Sequence, residues 1–239
     1  IMRQFRAAIR TTLYQLLVRL NLPLIWQARF LPKHLFAHQA CILPIESIKL
    51  YSFSDPSPPK RSPWFCFETS EEKKILPLPS IFKEMTDDNL RSCVHNTVRD
   101  LFINNKNYSD TSQHRRMVNN LSNGIITYQC KSIKDIKHYF ERLTRAFQSI
   151  KADGYKSQQE LGGSPRDEIR IHITENGRYC LGSKGNHRLR IAELLEIKQI
   201  PCNVYGVNIN WLISLCKDTQ LPPHKAIINW MNNPKQIST

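Results

Sequence analysis

Residues 180–195 read Cys-Leu-Gly-Ser-Lys-Gly-Asn-His-Arg-Leu-Arg-Ile-Ala-Glu-Leu-Leu. Those types at that spacing suit one chemistry, the holding of an anion. Gly182 and Gly185 permit left-handed backbone and let the main chain come close to a ligand. Lys184, His187 and Arg188 crowd positive charge at a helix start, where unpaired amides and the helix dipole already favour an anion. Ser183 and Asn186 add a hydroxyl and an amide to the same turn. The pattern is that of a phosphate cradle; the competing reading is a strand-to-helix turn whose basic residues are merely solvated.

Phosphoryl transfer would need more: in-line placement of an acceptor and a carboxylate to receive its proton. Glu160, Asp167 and Glu168 lie in the segment leading into the strand beside the cradle, with Glu168 the first candidate for the base and Glu160 the second. His187 is the remaining candidate for proton transfer. The same acids could instead cap turns or pair with Arg166 and Arg170. Gln158 and Gln159 could hydrogen-bond a base or sugar, or simply line a loop; Tyr155 is expected to pack. A Mg²⁺ ion held by a carboxylate and phosphate oxygens would leave little trace in the sequence.

At 239 residues the chain is long enough for a sizeable core, and 41% hydrophobic content is ordinary for a globular protein. With 34 Lys+Arg against 20 Asp+Glu the net charge is +14, which suits nucleic acid, anionic lipid or nucleotide partners without choosing among them. The seven cysteines are scattered and none forms Cys-x-x-Cys, a pattern of buried thiols in a reducing compartment rather than a disulfide framework or zinc site. His34 and His38 are spaced i,i+4 with no acidic or cysteine partner nearby, so no metal is expected there. The best apolar stretch, 13–31, is broken by Arg19, Asn21, Pro23 and Arg29 and supplies no membrane span. The expectation is a cytoplasmic protein, peripheral on a membrane if its first helix binds lipid.

The elements that must position the cradle follow from periodicity. Residues 2–20 form a helix with Phe5, Ile9, Leu13, Leu16 and Leu20 in one stripe, flanked by Arg3, Arg6, Arg10 and Arg19. That helix either docks its stripe on the protein or lies in an anionic membrane surface; docking is favoured. A less regular helical region and an extended piece around 41–50 precede a Pro/Ser-rich run at 52–63, read as a linker. Trp64-Phe-Cys-Phe67 reads as a buried strand or aromatic anchor, and 71–74 as a solvated turn. A helix capped by Asp87 or Asp88 runs to Leu101, and another opens near Asp110 or Thr111. A turn at Asn123-Gly124 leads to a short strand at 125–128. Ser132 caps a helix whose apolar seam (Ile133, Ile136, Phe140, Leu143, Phe147, Ile150) is expected to pack on a sheet, and Gly154 ends it. Residues 169–173 alternate as a half-buried strand, Asn176-Gly177 makes a two-residue hairpin turn, and 178–181 returns. After the cradle and its helix come a strand at 200–205 and a helical tail.

The order helix, Gly154, strand, hairpin, Gly185-Asn-His-Arg188, helix, Ile200-Pro-Cys-Asn-Val204 resembles the ParB/sulfiredoxin-like superfamily over roughly residues 133–211. The resemblance implies an α+β fold, a small mixed sheet with packed helices, preceded here by a mainly helical N-terminal region. It divides the chain into 1–63, 64–132, 133–211 and 212–239. In that superfamily the box holds nucleotide phosphates: ParB proteins bind CTP and DNA, sulfiredoxins use ATP to repair an oxidised cysteine, and related members phosphorylate free serine. By resemblance, Gly182, Ser183, Lys184, Gly185, Asn186, His187 and Arg188 would line the phosphates of ATP or CTP, with Gln158 beside them. An ATP-dependent phosphotransferase or hydrolase is the activity implied, with a ParB-like nucleic-acid binder and a non-catalytic membrane or assembly protein as alternatives. Two departures stand out. Asn186 replaces the reactive cysteine of sulfiredoxins, and Asn-His replaces the Glu-Arg of ParB partition proteins.

Overall fold

The computed structural model describes residues 2–36, 39–52, 65–68, 75–85 and 90–234. His38, the linker from residue 53, Trp64, the 71–74 turn and the Asp87/Asp88 cap lie outside them. The protein is α+β, with a small mixed sheet, packed helices and a mainly helical N-terminal region. It divides into two compact units. One holds residues 1–78, 157–185 and 199–239, the other 79–156 and 186–198.

The first unit carries the sheet. Its strands are β1 (Cys41–Pro44), β2 (Leu50–Ser52), β3 (Cys66–Phe67), β4 (Ile75–Pro77), β5 (Ile169–Ile173), β6 (Tyr179–Leu181) and β7 (Gln199–Asn208). Among the described residues the order is β1-β7-β5-β6-β2-β4, with β3 also paired to β7. The β7 strand is central: β1 and β3 share one edge, β5 takes the other, and all but Gln199 and Tyr205 are buried. In β5, Ile169, Ile171 and Ile173 enter the core, the two-residue period expected of a packed strand. Thr174 N–H donates to Arg178 O, so the hairpin loop has three residues, 175–177, rather than two, with Gly177 left-handed at its end.

Among the described residues this unit has four α-helices: α1 (Met2–Arg19), α2 (Leu24–Arg29), α7 (Ile209–Thr219) and α8 (Pro223–Asn232). The docking expected of α1 happens through a different face. Tyr14 is buried, and its hydroxyl accepts the His224 amide at 3.0 Å, while Phe5, Ile9, Leu13, Leu16 and Leu20 all face solvent. The Tyr14 contact with α8, together with Thr11 beside His34, holds α1 and leaves its apolar stripe exposed.

The second unit is helical in its described residues: α3 (Leu90–Phe102), α4 (Ser112–Ser122), α5 (Ile133–Asp153) and α6 (Asn186–Leu194). The α4 and α5 caps are Thr111 and Ser132, whose side chains accept from the His114 and Asp135 amides. Ile136, Phe140 and Leu143 of α5 pack with Val98, Met117 and Ile191 of α3, α4 and α6. The seam thus meets helices, not a sheet, and Ile133 falls outside it, exposed. Residues 125–128 form no strand, only an isolated bridge between Thr127 and Cys130, and Ile125 and Ile126 are exposed to solvent.

Candidate anion-binding site

The glycine-bearing turn is tied to β5. Gly182 N–H donates to Arg170 O at 2.7 Å, and Arg170 N–H donates to Lys184 O at 3.0 Å. Gly185 takes φ +88°, and a Cβ there would lie 2.7 Å from Ile169 Cα. Its glycine is thus required by close packing on the neighbouring strand, whatever else the turn does. Lys184 forms an ion pair with Asp167, and Ser183 is exposed.

The proposed bases order the loop before β5. Glu168 is buried and accepts the Gln158 amide, while Gln158 O accepts the Gly163 amide at 2.6 Å. Glu160 accepts the Ser157 amide at 2.7 Å, and its own amide donates to Ser157 Oγ at 3.1 Å, a reciprocal capping arrangement.

The boundary between the two compact units falls after Gly185, so Asn186, His187 and Arg188 belong to the helical unit. His187 Nε2 lies 3.1 Å from both Gln113 Oε1 and the Tyr139 hydroxyl, with the Tyr128 and Tyr139 rings edge-on to the imidazole. Burial pushes its pKa down to about 4, so at pH 7 the ring is neutral and adds no charge to a cradle. Arg188 Nη1 donates to the hydroxyl of half-buried Tyr155 at 3.4 Å. Asn186 Oδ1 is buried and has no hydrogen-bond partner among the described residues.

Positive charge converges elsewhere in the sheet unit. A cavity of about 260 Å³ is lined by Arg10 of α1, Lys33 and His34 of a 3-10 turn (Lys33–Leu35), Arg166 of another (Pro165–Asp167), and Arg170 of β5. Phe36, Asn203, Val204 and Tyr205 complete the wall, and no carboxylate is among the described lining residues. A bulge in β7 makes the arrangement. Val204 pairs with Ile171 and Gly206 with His172, leaving Tyr205 as the extra residue. A bulged residue is re-aimed from its strand. The Tyr205 ring receives Lys33 Nζ at 3.4 Å and Arg170 Cζ at 4.3 Å from its centroid.

Sharing one ring puts those two charges within about 8 Å of each other, where like charges at an effective dielectric near 20 repel by about 2 kcal/mol. The ring quadrupole attracts each cation but neutralises neither. Arg170 Nε is buried with no hydrogen-bond partner among the described residues. His34 Nε2 lies 2.9 Å from Thr11 Oγ1, whose hydroxyl donates to Ala7 O. Burial, then the Arg10 guanidinium, hold His34 below its ordinary pKa. A wall of this kind stabilises an anion and repels a cation.

Reading the sequence alone missed this cavity. In the sequence Arg166 and Arg170 read as partners for the acids, Arg10 as the flank of a helix, and His34 as half of a histidine pair. The one available signal is that no acid precedes Glu46 in the chain, so positive charge accumulates over the stretch that holds Arg10 and Lys33. Nothing in the chain order brings residues 10, 33, 170 and 205 together. Comparison with protein families, curated proteins and solved structures finds no match for this chain.

Proposed function

We propose that the protein binds a phosphate-bearing small molecule, with the anionic group seated in the Arg10/Lys33/Arg166/Arg170 cavity. The carrying observation is that lining: four cationic side chains and no carboxylate among the described residues, around about 260 Å³. Phe36, Val204 and Tyr205 limit water on one side, which strengthens each charge–phosphate contact. Pockets for whole small molecules run to about 300–1,000 Å³, so this one suits phosphoryl groups or a sugar phosphate, with the rest of a larger ligand outside. A nucleotide, ATP or CTP, is the class that the ParB/sulfiredoxin-like pattern suggests.

The proposal is one of binding. Phosphotransfer or hydrolysis usually draws on a carboxylate at the acceptor; none is among the described lining residues, and Glu168 and Glu160 are engaged with loop amides. By the same donor chemistry, Mg²⁺ would arrive with the nucleotide, held by phosphate oxygens.

Titration calorimetry with ATP, CTP and pyrophosphate tests this. Wild type should bind at least one of them, Arg170→Ala and Arg10→Ala should each weaken binding at least about tenfold, and Lys184→Ala should leave it within about twofold. Binding to none of the three, or unchanged binding by both cavity variants, sinks the proposal. Binding confined to DNA, with a steep salt dependence, would move the reading to nucleic acid.

A further inference from the structure

We infer that the exposed face of α1 docks on an anionic phospholipid bilayer, lying in its surface. This goes beyond the anion-binding proposal and uses residues outside that cavity. Phe5, Ile9, Leu13, Leu16 and Leu20 are 41–67% exposed, whereas Tyr14, on the docked side of the same helix, is 2% exposed. At about 100° per residue the five fall within an arc of roughly 80°, with Arg6 at one border and Arg19 at the other. Both arginines are exposed, and α1 carries no acidic residue. Exposed apolar side chains continue past the helix at Leu22, Ile25 and Trp26. An uncovered apolar stripe of this length marks an interaction surface.

Charge complementarity selects the occupant. Cations along both edges of an apolar stripe, without a single acid, match a surface that is apolar beneath a layer of phosphates. Arginine stems can lie along acyl chains while their guanidinium groups reach the headgroups. No helix among the described residues is long and apolar enough to cross a membrane, so the helix rests on the surface. The Tyr14–His224 anchor holds α1 with this face outward, so docking requires no rearrangement of the helix.

The test is vesicle sedimentation of the full chain, with phosphatidylcholine alone and with about one-third phosphatidylglycerol, alongside sedimentation velocity without lipid. The protein should pellet with the anionic vesicles and far less with the neutral ones. Ile9→Glu with Leu16→Glu should lower the partition at least about tenfold while the circular-dichroism melt stays unchanged, and Arg6→Ala with Arg19→Ala should erase the preference for anionic lipid. Absence of pelleting, or equal pelleting by the Glu variant, overturns the inference. So does a lipid-free dimer that Ile9→Glu/Leu16→Glu turns into monomers, since the stripe would then belong to a second copy.

Discussion

Replacing Arg170 by alanine should make the protein without ligand more stable and the ligand-bound protein weaker. Four contributions decide the sign. Removing the guanidinium relieves about 2 kcal/mol of repulsion from Lys33 across the Tyr205 ring. It also removes a buried Nε without a partner among the described residues, a group whose desolvation costs about 1–3 kcal/mol. Against these stand the lost contact with the Tyr205 ring, about 0.5–2 kcal/mol, and the lost packing of the arginine stem, about 2 kcal/mol at about 0.8 per buried methylene. The balance favours the variant by about 1 kcal/mol, a rise of about 2–4 °C in melting temperature for a chain of this size. The anion reverses the advantage. A charge-assisted hydrogen bond lost from the ligand is worth about 1.5–3 kcal/mol, so affinity falls at least about tenfold. At pyrophosphate concentrations near 100 times the wild-type Kd, wild type gains about 2.7 kcal/mol and the variant about 1.4, which closes the gap. Differential scanning calorimetry with and without pyrophosphate reads both effects. A variant destabilised by more than about 2 kcal/mol in the absence of anion, and shifted by pyrophosphate as much as wild type, would show that Arg170 is structural and the reasoning wrong.

Gly185→Ala should cost about 2–4 kcal/mol in denaturant melts, since the new methyl meets Ile169 Cα at 2.7 Å in a left-handed backbone; a loss below about 1 kcal/mol would mean the turn relaxes freely. Because burial lowers the pKa of His187 to about 4, the unfolded chain takes up its proton first. The stability that this histidine contributes is complete above about pH 6.5 and is lost as pH falls towards 4, by about 3 kcal/mol. His95, lowered to about 4 mainly by burial, adds a loss in the same direction, so His187→Gln should flatten only part of the acid slope measured by urea unfolding. Sulfate stays dianionic over this range and should bind more tightly as pH falls from 7 to 5, because an anion in the cavity favours protonated His34. His34→Gln should remove that slope, and a slope that persists would assign it to another group.

Local structure was legible in the residues themselves. The spacing of Phe5, Ile9, Leu13, Leu16 and Leu20 marks a helix, Thr111 and Ser132 mark two helix starts, and Gly154 marks a stop, because caps and periodicity act within a few residues. The alternation of 169–173 places β5, and the composition gives the large positive charge. Whether an apolar stripe is covered is a different matter. Periodicity says that α1 has such a face, but the Tyr14–His224 contact, 210 residues apart in the chain, decides that the face looks outward. The box at residues 182–188 shows the same division. Its glycines and cations are plain in the sequence, yet their partners are set by tertiary packing: Ile169 against Gly185, Asp167 on Lys184, Gln113 and Tyr139 around His187. The basic cavity depends wholly on tertiary structure, since a one-residue bulge in β7 aims Tyr205 between Lys33 and Arg170. Sequence carries the identity and local period of each side chain. Only the fold, by spending some charges on neighbours and gathering others around one space, determines which of them a ligand can use.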